Sequence, residues 1–235
     1  MRKKNYEKNP NQFAPKHFIM IPFEDEKFIE DYKKLCDKLE DEKPYQYDFE
    51  LLQKPGKLHT SVIVLDLKDD KKEVSKVEKI LDSIHQEMKS LASGGITFNF
   101  DKYDVFDSID KTRVVFASMK QDESYQKIEL IIDLIIRNLI DHNVINKNNI
   151  QSYHVDFKDG LYKIVLHLTL LNNMFLNKIL KKQRKKPIKS FNSGDILTCI
   201  NDIKLCPCPL NKINFCVMRE DKSIGKYELV KSYDL

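Results

Sequence analysis

Two short runs in this sequence carry residue types that move protons at neutral pH: His59-Thr60-Ser61-Val62 and His167-Leu168-Thr169-Leu170. Each places a hydroxyl two residues after an imidazole and an apolar residue after that. A neutral imidazole with a pKa of about 6.5 accepts a proton, and a protonated twin gives one up at the same pH. A reaction in which an attacking hydroxyl or water loses a proton while a departing oxygen gains one could use both together. The hydroxyls of Ser61 and Thr169 are donors for any negative charge that develops between them. Of the six histidines only these two have Ser or Thr at the second position on. His17, His85, His142 and His154 read as surface or packing residues.

The elements that must hold these side chains are strands. Leu58 to Leu67 and Leu161 to Leu171 are rich in β-branched and aliphatic residues. Residues i and i+2 of a strand share a face, so His59 projects with Ser61 and His167 with Thr169. The opposite faces carry Leu58, Thr60, Val62 and Val64 in the first run, and Tyr162, Ile164, Leu166, Leu168 and Leu170 in the second. These apolar faces should pack on helices and leave each His/hydroxyl pair outside the core. The plainer alternative is a pair of unrelated, half-buried histidines.

The rest of the chain supplies strands and helices in alternation. Phe18 to Ile21 reads as a first strand and a helix follows from about Glu24, with Phe28, Ile29, Tyr32, Leu35, Cys36 and Leu39 on one stripe. A second helix is expected from about Lys72 to Ala92, stopped by Ser93-Gly94-Gly95. Strands at Ile96–Phe106, with a break, and at Thr112–Met119 lead to a third helix over Glu123–His142. Ile150–Phe157 and Leu161–Leu171 read as a hairpin around Lys158-Asp159-Gly160. A basic linker, Lys178 to Lys189, precedes a short helix near Ser193–Ile200 and late strands near Ile203, Phe215 and Leu229. The class is α+β, or mixed α/β, with antiparallel pairing.

Composition narrows the function classes. A chain of 235 residues, 41% hydrophobic and 32% charged, suits one soluble domain, here 12–235 after a flexible 1–11. No apolar leader opens the sequence, and the most apolar run, Ile128 to Ile140, is broken by Glu129, Asp133 and Arg137, so a cytoplasmic or nuclear protein is expected. A net charge of +4 is too small to point to nucleic acid by itself. Five cysteines without regular spacing read as reduced thiols; Cys206-Pro207-Cys208 lacks the partner ligands of a zinc site. No cofactor and no metal are expected.

Taken together, the two His-x-Ser/Thr motifs resemble those of the 2H phosphoesterase superfamily, and most of all its A-kinase anchoring protein and signal cointegrator branch, a 2′,5′ RNA ligase-like domain. Pro10-Asn11-Gln12-Phe13 leading to Phe18-Ile19-Met20-Ile21-Pro22 resembles that branch's opening strand. Lys57-Leu58-His59-Thr60-Ser61-Val62 resembles its first motif, and Ile96 to Phe106 followed by Arg113-Val114-Val115-Phe116 its central hairpin. Phe191, Ile196-Leu197, Ile203 to Cys206 and Gly225-Lys226-Tyr227 resemble its closing segments. Two departures stand out: Leu166 replaces a frequent proline, and polar Thr60 replaces a usual apolar residue.

The resemblance implies a bilobal fold of two pseudo-symmetric lobes, with two mainly antiparallel sheets facing across a cleft and helices outside. It implies His59 and His167 as acid and base on an RNA-type phosphodiester, with Ser61 and Thr169 on the phosphate. A ribose hydroxyl beside the phosphate is an internal nucleophile, so a metal-independent hydrolase is expected, acting on short RNA, 2′,5′-oligoadenylate or 2′,3′-cyclic phosphate ends. The alternatives are a non-catalytic AMP or CMP sensor and an exonuclease trimming RNA 3′ ends. Tyr103, Phe106, Arg113 and Tyr162 are candidates for stacking on a base or pairing with phosphate, with core packing as the competing role. The expected partner is RNA or a nucleotide, without a membrane, a kinase-anchoring helix or a second subunit.

Overall fold

The computed structural model describes residues 16–43, 49–67 and 71–235. The expected flexible segment 1–11 and the Pro10–Phe13 run therefore lie outside the described residues. In chain order the elements are β1 (His17–Pro22), α1 (Glu26–Glu42), β2 (His59–Leu65), α2 (Lys71–Leu91), β3 (Thr97–Phe98), β4 (Phe100–Phe106), β5 (Val114–Met119) and α3 (Glu123–Asp141). They continue with β6 (Asp156–Lys158), β7 (Leu161–Lys163), β8 (His167–Asn172), α4 (Asn173–Lys182), α5 (Gly194–Ile200), β9 (Cys208–Pro209), β10 (Lys212–Asp221) and β11 (Lys226–Asp234). The fold is mixed α/β with antiparallel sheets, as the alternation of patterns predicts.

Two sheets position the motifs. One has the order β11-β10-β1-β2 and carries His59 on its edge strand; the other has the order β4-β5-β8 and carries His167 on its edge strand. One face of each sheet enters a common core: Ile19, Ile21, Val62 and Leu65 from the first, and Val115, Ala117, Leu168 and Leu170 from the second. The helices close that core. Asp25 caps α1 by accepting from the Phe28 amide at 2.9 Å, and Phe28, Tyr32, Leu35 and Leu39 face inward. α2 buries Val77, Ile80, Leu81, Ile84 and Met88, and the backbone leaves it through Gly94 and Gly95 at φ 81°, a left-handed conformation that costs glycine little.

The two sheets meet along β2 and β8. The buried hydroxyl of Thr60 donates to the His167 carbonyl at 2.9 Å. Beside it Leu52 bridges Leu171, and the Gln53 amide donates to the Leu170 carbonyl at 2.8 Å. Burying Thr60 without that partner would cost free energy, which explains why a polar residue stands at a core-facing position.

Each histidine strand is broken by the same irregularity. In the β1–β2 pairing Ile19 faces Ile63 and Met20 faces Ser61, leaving Val62 as the extra residue. In β5–β8 Val115 faces Leu171 and Phe116 faces Thr169, leaving Leu170 extra. Both bulges fall three residues after the histidine. They make two consecutive residues face the core, Val62-Ile63 and Leu170-Leu171. Strict alternation fails from there on: Val64 turns to the outer face and joins a small cluster of Phe18, Met20, Cys216 and Tyr227, contrary to expectation.

Other expectations are corrected by tertiary contacts. Of Ile150–Phe157 only Asp156 and Phe157 are in a strand, β6; Lys147–Tyr153 forms a 3-10 helix, started by the Asn146 side chain accepting from the Asn148 amide. The Asp159-Gly160 turn is present, but its hairpin has only three residues per strand. The run Leu161–Leu171 is two strands, because the Tyr162 amide is drawn to the Asp133 carboxylate of α3 at 2.7 Å while β8 pairs with β5. No strand forms at Ile203; its carbonyl accepts from the Tyr103 hydroxyl instead. Lys178, Lys181 and Lys182 belong to α4 and not to a linker. The five cysteines are free thiols. Among the described residues no helix is long and apolar enough to cross a membrane, and no cluster of His, Cys, Asp and Glu is grouped to hold a metal ion.

Candidate active site

The outer faces of the two sheets carry the two motifs. His59, Ser61, His167 and Thr169 are all half-buried, flanked in sequence by buried Leu58, Thr60 and Val62 and by buried Leu166, Leu168 and Leu170. The tight turn Pro55–Lys57 brings the Lys57 carbonyl back over the first imidazole, which donates to it from Nδ1 at 2.7 Å. His167 Nδ1 donates in the same way to the Val165 carbonyl, also at 2.7 Å. A carbonyl only accepts, so both neutral rings carry the proton on Nδ1 and present a lone pair at Nε2. In the first motif Nε2 lies 3.1 Å from the Ser61 hydroxyl.

Each ring is also wedged between two aromatic side chains. Phe18 and Tyr227 meet His59 edge-on, with centroids 5.3 and 5.4 Å away. Phe106 and Phe116 meet His167 at 5.0 and 5.4 Å. The two brackets repeat one design on separate sheets. They restrict ring rotation and exclude water, so the charged imidazolium is disfavoured. Desolvation pushes the His59 pKa down to about 4; its bond to Lys57 offsets this in part, and the charge of nearby His167 lowers it further. Desolvation lowers His167 as well, against the opposing pull of the Val165 carbonyl. A doubly negative or singly negative phosphate between the rings would supply the counter-charge that the protein withholds.

The rim beside His59 is charged. Lys57 stands 5.2 Å from the Tyr227 ring centroid and 2.7 Å from Glu220, which Lys54 also contacts at 2.9 Å. The two ammonium groups hold the Glu220 carboxyl down at about 2.

Of the four candidate base-binding residues, the structure brings Phe106 to His167 and gives the other three contacts elsewhere. Tyr103 is an odd number of residues from Phe106 on the same strand and faces the core, where its hydroxyl donates to Ile203. Tyr162 is buried beside α3, with Arg137 over its ring. Arg113 is exposed at the entry to β5 and pairs with Asp107 at 2.7 Å. Phe18, Phe116, Tyr227, Lys57 and Thr60 are contributions that the motif reading did not assign. All five sit in segments that resembled the superfamily, but nothing local marks any of them as a neighbour of the histidines.

Comparison with known proteins gives this geometry a family. No curated protein sequence matches the chain. Solved structures do, over most of their own length. TT0787 of Thermus thermophilus is similar at 12% identity and a TM-score of 0.58, covering 94% of this chain and 97% of that one. LigT of E. coli, complexed with 3′-AMP, is similar at 11% identity and 0.51, covering 94% and 98%. Usb1 of Kluyveromyces marxianus is similar at 13% identity and 0.51, covering 93% and 97%. At such identities these likenesses speak to the fold, which is that of the 2H phosphoesterases. The model of the AKAP7 2′5′ RNA ligase-like domain matches residues 15–235, and the chain belongs to that family, within the 2H phosphoesterase superfamily.

Proposed function

We propose that this chain is a metal-independent phosphodiesterase that cleaves an RNA-type phosphodiester between His59 and His167. The observation that carries the reading is the repeated geometry. Each motif fixes Nδ1 on a carbonyl two residues back, aims Nε2 outward, and sets a hydroxyl on the same face. One Nε2 takes the proton of the attacking ribose hydroxyl or water, and the other, protonated, gives its proton to the departing ribose oxygen. Ser61 and Thr169 donate to the non-bridging oxygens. Both imidazoles are depressed in the free protein, so the phosphate itself must raise one of them to its acid form. That requirement couples activation to substrate. In this reading Phe106, edge-on to His167, stacks on the rest of the nucleotide, and LigT's complex with 3′-AMP supports a nucleotide ligand.

The test is turnover on a panel of 2′,5′- and 3′,5′-linked oligonucleotides and 2′,3′-cyclic nucleotides, with and without chelator. Cleavage that survives chelator and falls roughly a hundredfold or more in each of His59→Ala and His167→Ala is expected. A ribose nucleophile leaves a 2′,3′-cyclic phosphate, and water leaves a linear one. Tight AMP or CMP binding without turnover on any member of the panel would replace this reading with a nucleotide sensor.

A further inference from the structure

From Gly160 to Gly194 the sequence has no Asp or Glu, yet seven cations fall between Lys178 and Lys189. Lys178, Lys181, Lys182, Arg184, Lys185, Lys186 and Lys189 are all exposed. Among the described residues no carboxylate forms an ion pair with any of them, whereas lysines elsewhere on the surface, such as Lys34, Lys38 and Lys231, have acidic neighbours.

The segment is a built surface and not a tail. Lys178, Lys181 and Lys182 are three and four residues apart on α4 and share one flank. The helix ends at Lys182, Arg184 just beyond it is left-handed at φ 57°, and the Lys185 amide donates back to Leu180 at 2.8 Å. The chain then returns along α4. The Asn177 side chain grips Ile188 through both its amide and its carbonyl, each at 2.8 Å. Asn173 donates to the Lys189 carbonyl at 2.8 Å, and Phe191 exchanges two backbone bonds of 2.9 Å with Thr112. Like charges at i and i+4, Lys178 with Lys182, repel in the free protein and are relieved by an anion. A segment held at Asn177, Asn173 and Thr112 carries its exposed cations on a fixed backbone. That geometry suits a phosphate chain, and it ill suits a receptor that must read the segment as an extended peptide.

Its place in the fold ties it to the site. α4 leaves β8 directly after Asn172, three residues beyond Thr169, which is about 10 Å along a strand. The return leg closes on Thr112, next to exposed Arg113. The cations thus follow the Asn172 end of β8, the strand that opens with His167 and carries Thr169.

We infer that the flank formed by α4 and its return leg binds the backbone phosphates of a single-stranded RNA beyond the phosphate held by the histidines. The inference rests on the proposed reading in that it makes the substrate a strand several nucleotides long.

The test uses the full chain and the variant Lys181→Gln/Lys182→Gln/Lys185→Gln/Lys186→Gln, whose positions are exposed. Binding of a fluorescent 12-nucleotide single-stranded RNA is measured by anisotropy across a salt series, beside turnover of a dinucleotide of the same linkage. Each lost phosphate contact lowers the log–log salt slope by about 0.7, so the variant's slope should fall by about 2 to 3. Binding at low salt should weaken at least roughly tenfold, with dinucleotide turnover unchanged. An unchanged slope overturns the inference, and so does an equal loss for the dinucleotide. If the wild type turns over nothing but the slope falls as stated, the surface stands and the catalytic reading fails. If an import receptor loses the variant while RNA binding is unaltered, the segment is a transport signal and the inference is wrong.

Discussion

Replacing Thr60 with valine tests whether the join between the two histidine strands matters for chemistry. Valine has the same branched shape and fits the same strand, so no cavity opens and no backbone strain is introduced. What disappears is one hydroxyl, 1% exposed as part of Thr60, whose 2.9 Å bond ties β2 to the carbonyl of His167 itself. The two strands belong to different sheets and share no ladder, so this side-chain bond carries much of their registration. The carbonyl left behind is shielded and without its donor, which costs about 1–3 kcal/mol. For a chain of this size that corresponds to a fall in Tm of roughly 2–10 °C. Positioning should suffer as well: kcat falls with KM little changed, because both imidazoles remain but lose their fixed separation. Thr60→Ser keeps the hydroxyl and should recover most of the stability and rate. Thermal melts, steady-state kinetics and imidazole titration by NMR on the three proteins provide the readouts. With His167 less firmly placed and more water admitted, the His59 pKa should rise from about 4 toward its ordinary value in the valine variant alone. If Thr60→Val matches wild type in melting and in kcat, or if serine is no better than valine, Thr60 is not a positioning residue.

The depressed imidazoles make two further predictions. The profile of kcat/KM, which reports the free enzyme, should be bell-shaped with its maximum below about pH 6.5; an optimum above about pH 8 contradicts the desolvated site. Because the folded His59 binds its proton more weakly than the unfolded chain does, its contribution to stability is present above about pH 6.5 and lost as pH falls toward 4, amounting to about 3 kcal/mol at most. Urea melts at pH 7.5 and 5 should show that loss, and His59→Gln should reduce it; equal slopes in both proteins would exclude His59 as its source. Ser61→Ala and Thr169→Ala should each lower kcat by roughly a hundredfold at nearly constant KM, as measured on the best substrate of the panel.

Much of this architecture was legible because its signals are local. The amphipathic spacing of α1, α2 and α3, the Asp159-Gly160 turn and the two His-x-Ser/Thr runs each depend on near neighbours. What escaped depends on distant ones. Regular alternation puts Val64 in the core, but the bulge at Val62 turns it out, and the only trace of that bulge is the apolar doublet Val62-Ile63, matched by Leu170-Leu171. Tyr103 and Phe106 look equivalent as aromatic residues of one strand; their parity decides which one meets His167. Thr60 reads as a misfit until the carbonyl of a residue 107 positions away is seen to accept from it. The Nδ1 bonds to Lys57 and Val165 come from how the chain enters each strand, which no residue pattern announces.

The segment Leu52–Gln53 has a consequence for how this protein behaves among its own copies. β8 is a six-residue run with three leucines at the edge of its sheet, and an open edge of that kind recruits strands from other molecules. Here that edge is occupied from within: Leu52 bridges Leu171, the Gln53 amide takes the Leu170 carbonyl, and Thr60 takes that of His167. The sheet edges at β4 and β11 are defended differently, by the charges of Lys102, Asp104, Lys226, Glu228 and Lys231 and by bulges in the β10–β11 pairing. Loosening residues 49–53 would therefore do more than disturb the join between β2 and β8. It would expose an adhesive strand, and self-association through β8 is the failure that heat or a destabilising substitution in that segment should produce first.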